Sequence, residues 1–162
     1  MSSWLHGLVL MLPVLTASGQ ELGSPDGVQP KAKQHVMYVA EQQTVAAGKH
    51  ASIALRFHVD EGYHVNSHLP KSELLIPTQV EFGAASGVKL ANAEYPAGKL
   101  YSFSFDPATK LDVYTDDFVV RLPVVASAGS HELKGELKYQ ACDKAACYPV
   151  RTLPVQVLFS AK

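Results

Sequence analysis

From Val36 onward the chain alternates apolar and polar residues with a period of two. Ile53, Leu55, Phe57 and Val59 alternate with Ser52, Ala54, Arg56 and His58. Phe118, Val120, Leu122 and Val124 alternate with Val119, Arg121 and Pro123. Val80 and Phe82, Tyr101 to Phe105, Leu133 to Tyr139, and Leu153 to Phe159 repeat the pattern. One buried face and one wet face is what antiparallel strands require. The stretches AAGK, DEGY, GAASG, YPAGK, DPATK and SAGS fall between the runs and supply turn residues.

About eight short strands at this spacing predict an all-β fold. The expected architecture is an immunoglobulin-like antiparallel β-sandwich over residues 36–162, carrying a Cys-x4-Cys hairpin. No stretch of that region keeps a helical apolar period for three turns, and no internal repeat or second domain is evident.

The N-terminus breaks the pattern. Residues 4–15 are apolar, and Ala17 and Gly19 follow at the spacing of a signal-peptidase site. The run is too short for a membrane-spanning helix of about 20 residues, and Pro13 interrupts it. Residues 1–19 are therefore expected to be a signal peptide, although no Lys or Arg precedes the apolar run. Residues 20–35, rich in Gly, Pro and polar side chains, are expected to be a flexible linker. Export implies an oxidising compartment, in which paired cysteines form disulfides.

Charge narrows the function classes. Fourteen basic against fifteen acidic residues leave a net charge of −1, and no basic run lies among aromatics. Binding to nucleic acid or to an anionic membrane surface is not indicated. No small-molecule substrate is expected either.

The candidate chemistry lies in YQACDKAACYPV, residues 139–150, which contains both cysteines of the chain. Three readings are open. A structural staple closing a loop of about six residues contributes roughly 2 kcal/mol, against nearly 5 for a hundred-residue loop. A zinc site could draw on Cys142, Cys147, His64 and His68, although the spacings are unusual. A redox pair needs a reachable sulfur and a stabilised leaving thiolate.

Parity constrains this hairpin. Cys142 follows Lys138 and Gln140 onto the wet face, and Cys147 must lie opposite it. Stepping from Cys147 then puts Leu153 on the wet face, yet Leu153 begins a buried series. The ladder is therefore expected to slip by one residue, with irregular pairing over residues 148–152 and a bulge at Pro149, which cannot donate a ladder bond. Tyr139 reads as core, whereas Tyr148 is free to shield the sulfurs. Lys144 and Arg151 read as solvated surface, and Asp143 would oppose a thiolate. His64 and His68 fall in a polar loop, and His35, His50, His58 and His131 read as surface.

The segment LKYQACDKAACYPV resembles the redox hairpin of the N-terminal periplasmic domain of the thiol:disulfide interchange protein DsbD. GYHVNSHLPKSELLIPTQVEF, EYPAGKLYSFSF and LDVYTDDFVVRLPV are similar to other segments of that family, in the same order. The resemblance runs from about Tyr38 to Val157. It implies a periplasmic protein in which Cys142 and Cys147 exchange thiols and disulfides, with Cys147 facing the partner. It also implies an aromatic cap, for which Phe103 or Phe105 is the candidate, although both read as buried strand residues. His64 and Asn66 occupy a loop that lies near the cysteines in the family. No cofactor or metal is implied. The partners implied are thioredoxin-like periplasmic proteins and a membrane electron donor of the DsbD/CcdA kind. This hairpin has one residue fewer between its cysteines than the best-known members, and Val150 stands where they have proline. Full DsbD continues into membrane and thioredoxin-like domains, whereas this sequence stops at Lys162, so a stand-alone domain is expected.

Overall fold

The computed structural model describes residues 33–162. The expected signal peptide, and the expected linker up to residue 32, lie outside the described residues. In chain order the strands are β1 Val36–Val39, β2 Gln43–Val45, β3 Ala51–Val59, β4 His64–Asn66, β5 Gln79–Phe82 and β6 Val88–Leu90. They continue with β7 Lys99–Phe103, β8 Asp106–Tyr114, β9 Asp117–Ala126, β10 Gly129–Tyr139, β11 Ala141–Cys142 and β12 Arg151–Ala161. There is no helix among the described residues.

The strands form three four-stranded sheets, ordered β1-β3-β9-β6, β2-β12-β10-β5 and β11-β4-β8-β7. Pairing is antiparallel except between β2 and β12, which run parallel. The twelve strands exceed the expected eight or so because β2, β4, β6 and β11 have three residues or fewer, too short to show alternation. β8 was hidden differently: its first half is mostly exposed, so DPATK read as a turn.

The first two sheets pack face to face. Ile53, Leu55 and Phe57 of β3 and Val120 of β9 meet Leu133, Leu137 and Tyr139 of β10 in one cluster, and all seven are fully buried. Val155, Val157 and Phe159 of β12 complete it. Each such side chain stabilises the fold by roughly 1.5–3 kcal/mol through burial. These are the alternating positions that the sequence assigned to the core.

The third sheet grows from a corner. β10 leaves the second sheet after Tyr139, and the chain re-enters pairing as β11 against β4. The last β10–β12 pair is Tyr139 with Arg151. Beyond it, Cys142 pairs with Cys147, and Tyr148 donates its backbone N–H to Ala141 O at 2.8 Å. Gln140 alone thus stands opposite Pro149 and Val150, a one-residue slip of the kind parity requires. The irregularity is narrower than expected, because Arg151 and Thr152 are already in register. Gln140 Nε2 donates to Tyr148 O at 3.0 Å, across the slip.

The face assignment needs correction. Cys142 is fully buried rather than wet, and its neighbour Ala141 is buried too. Parity carries along a strand only while the strand stays in one sheet, and this one changes sheets at Gln140.

The β7–β8 hairpin also departs from expectation. Its turn falls at Ser104 and Phe105, and the register is irregular between Tyr101 and Phe103. Phe103 is half-buried and Phe105 is 69% exposed, so neither is a core strand residue. β7 contributes nothing to the described core cluster, so alternation there does not mark a face turned inward.

Candidate functional site

The hairpin turn is built by Asp143. Its Oδ1 accepts the backbone N–H of Ala145 at 2.7 Å and of Ala146 at 2.9 Å. Asp143 N donates to Ala146 O at 2.9 Å, which closes the turn. An aspartate that caps its own turn in this way favours the conformation locally. Tyr148 OH donates to the other carboxylate oxygen, Oδ2, at 2.7 Å. That phenol bond, followed by the two backbone donors, holds the carboxyl down at about 2. The same bond is the chief reason the Tyr148 phenol is pushed up to about 12, so it remains a neutral donor. Asp143 is therefore the anchor of the turn.

Across that turn Cys142 and Cys147 are joined in a disulfide, with Cα atoms 3.9 Å apart. The two ends differ in environment. Cys142 is 0% exposed, whereas Cys147 lies at the surface. Lys144 is exposed and Arg151 half-buried.

His64 on β4 stands opposite Cys142 in register. It is 2% exposed, and its ring lies 4.1 Å from Tyr101 and 5.8 Å from Phe103, centre to centre. Phe103 meets Tyr101 edge-on at 5.4 Å and stacks on Phe105 at 4.9 Å. An aromatic chain thus runs from the Cys142 strand pair out to the exposed hairpin tip. Burial pushes the imidazole below its usual value, and the Asp143 charge opposes this. His64 Nε2 has no hydrogen-bond partner.

His64 and Asn66 are not in an exposed polar loop, as the sequence suggested. They belong to a strand buried at every position. Asn66 is held by the loop that follows: Nδ2 donates to Ile76 O at 2.9 Å, and its backbone O accepts from Thr78 Oγ1 at 2.6 Å. These bonds shape the loop between β4 and β5, and none of them reaches the cysteines.

Tyr139 is the core residue that parity requires, fully buried. Its phenol is pushed up to about 12, chiefly by burial. The hydroxyl donates to Gln34 O and lies 3.0 Å from Gln34 Oε1. His35, read from sequence as surface, has a side chain only 9% exposed and bonds Asp60 Oδ2 at 3.2 Å. It stacks on Tyr63 at 3.8 Å and lies 5.5 Å from Tyr148. No local signal marks His35, because its partners are distant in sequence.

The metal reading loses its ligand set. The two sulfurs are bonded to each other. His68 stacks on Tyr95 at 3.7 Å and donates from Nδ1 to Thr78 O at 3.1 Å. Among the described residues, no group of three or more His, Cys, Asp or Glu is poised to hold an ion.

Fold and site together define an all-β sandwich domain organised around a hairpin disulfide with one buried and one exposed end. The family model for the N-terminal domain of thiol:disulfide interchange protein DsbD matches residues 33–158, and the chain belongs to that family. Membership supports a role in thiol–disulfide exchange. No curated protein matches the chain. Among solved structures it is similar to the DsbD N-terminal domain of Neisseria meningitidis in the reduced form. That likeness has 18% identity and a TM-score of 0.46, covering 72% of this chain and 86% of the other. It is also similar to the N-terminal periplasmic domain of ScsB from Proteus mirabilis. There the identity is 12% and the TM-score 0.49, covering 75% of this chain and 43% of the other.

Proposed function

We propose that this domain passes reducing equivalents by thiol–disulfide exchange through Cys142 and Cys147, in the manner of a protein-disulfide reductase. The observation that carries the reading is the split environment of the bond, with Cys147 exposed and Cys142 buried. A donor thiolate reaches the Cys147 sulfur from outside and breaks the disulfide, and Cys142 leaves with the electron pair. The second thiol of the donor then displaces Cys147, so the domain gains two electrons and the donor becomes a disulfide. Running onward, Cys147 attacks an oxidised partner and Cys142 resolves the mixed disulfide.

The donors and acceptors in this reading are thioredoxin-like proteins and a membrane electron carrier of the DsbD/CcdA kind, met in the periplasm. Phe103, Phe105 and Tyr148 act as the shield around the pair, keeping adventitious oxidants from the sulfurs. The alternative is an exported binding module with a purely structural disulfide.

Trapping separates the two. The Cys142→Ala protein keeps Cys147 free and is expected to accumulate a reductant-sensitive covalent adduct with a periplasmic protein. Absence of an adduct with both single-cysteine variants would rule out exchange. Equilibration with glutathione buffers gives a second readout. An exchanging bond titrates above about −300 mV, and a structural one below it.

A further inference from the structure

Buried polar atoms are nearly always paired, and the exceptions call for a reason. His64 Nε2 is such an exception, in a side chain 2% exposed. β4 holds His64 directly across from Cys142, and opposed side chains of an antiparallel pair share one face at roughly 4.5–5.5 Å between Cβ atoms. Tyr101 and Phe103 pack against the ring from β7, and Asp143 is the charged group that acts on it from the hairpin turn. In the disulfide Cys142 has no proton to offer. In the dithiol it has one. Only the dithiol therefore offers a proton donor at the position opposite His64.

We infer that His64 is the base that deprotonates Cys142 when Cys142 resolves a mixed disulfide. This rests on the exchange reading above. At the start of the step Cys147 is bonded to the partner's sulfur, Cys142 carries a thiol proton, and Nε2 is bare. Nε2 takes the proton as Cys142 attacks the Cys147 sulfur. The Cys142–Cys147 bond forms, the bond to the partner breaks, and the partner leaves as a thiolate. The proton passes from the imidazolium to that thiolate, directly or through water, which restores the neutral ring. The domain is oxidised by two electrons and the partner reduced by two. The lowered basicity of a buried imidazole keeps the ring neutral, and so able to accept, at neutral pH.

Glutathione disulfide is a suitable probe, because its reaction with the reduced protein shows both steps. Cys147 first forms a mixed disulfide with glutathione, and Cys142 then releases it. In His64→Phe the release step is expected to slow by about 100-fold or more, within the usual range for a lost general base. The first step should hold within about two-fold, so that the glutathione adduct accumulates in mass spectra. His64→Gln keeps a hydrogen-bonding group but no base, and should be equally slow. Release at the wild-type rate in either variant, or equal slowing of both steps, overturns the proposal. If neither variant folds, the wild-type protein decides. The His64 Nε2 nitrogen resonance should shift between the oxidised and reduced forms, and an unchanged resonance overturns the proposal. These readouts need no protein partner, so they fail independently of the trapping experiment.

Discussion

Tyr148 and Asp143 show how much one hydrogen bond decides around the disulfide. The Asp143 carboxyl sits at about 2 in the folded protein against an ordinary 3.8. A depressed carboxyl stabilises the fold above its unfolded value, and the contribution disappears as pH falls through the folded value. The turn should therefore hold from neutral pH down to about 4 and loosen between about 4 and 2. Amide exchange at Ala145 and Ala146, followed by NMR across that range, checks this. Tyr148→Phe removes the first cause of the shift. The Asp143 titration should move up toward 3.8, and Cys147 should be reduced faster by dithiothreitol. An unmoved titration would show that the backbone donors alone set the carboxyl. At this scale the sequence was partly legible. Tyr139 was marked as core by its place in an alternating series. His64 was not, because a three-residue strand shows no period and its burial comes from β7 and β11.

At the scale of elements, pairing is governed by where strands stop sharing a sheet. Counting parity along β10 and β12 placed a one-residue slip between Cys147 and Leu153, most simply at Pro149, and the structure has it at Pro149 and Val150. The same count failed one step later, at Cys142, because β11 answers to β4 instead of β12. β10 also holds a glycine where a neighbour comes close. A Cβ on Gly135 would lie 2.3 Å from Glu81 O and 2.5 Å from the Phe82 ring. Backbone cannot withdraw as a flexible side chain can, so Gly135→Ala should push β5 away from β10. The expected loss is about 1–3 kcal/mol, read as a lower urea midpoint. An unchanged midpoint would mean that β5 contributes little to the cooperative unit.

For the whole molecule, the core and the disulfide carry separate tasks. Most of the core lies on β3, β9, β10 and β12, outside the loop that the disulfide closes, so removing the bond should leave the fold in place. The double variant Cys142→Ala with Cys147→Ala is expected to unfold cooperatively and to lose about 2 kcal/mol, the loop-closure value for about six residues. A collapse of the fold would favour the structural staple. By contrast, Leu55→Ala opens a cavity in a fully buried site and should cost about 2–5 kcal/mol in urea unfolding.

The sequence alone determined the all-β class, the buried series of the long strands, and a one-residue slip between Cys147 and Leu153 in the hairpin that holds both cysteines. Each of these depends on local period, on turn residues or on motif, all of which act between near neighbours in the chain. Only the tertiary structure decided that Cys142 is buried, that His64 lies across from it, and that Gln34 and His35 pack beside Tyr139 and Tyr63. Those facts come from a strand crossing between sheets and from contacts over long sequence separations. Burial there is set by which strands come to lie on either side, and alternation within one strand cannot encode it.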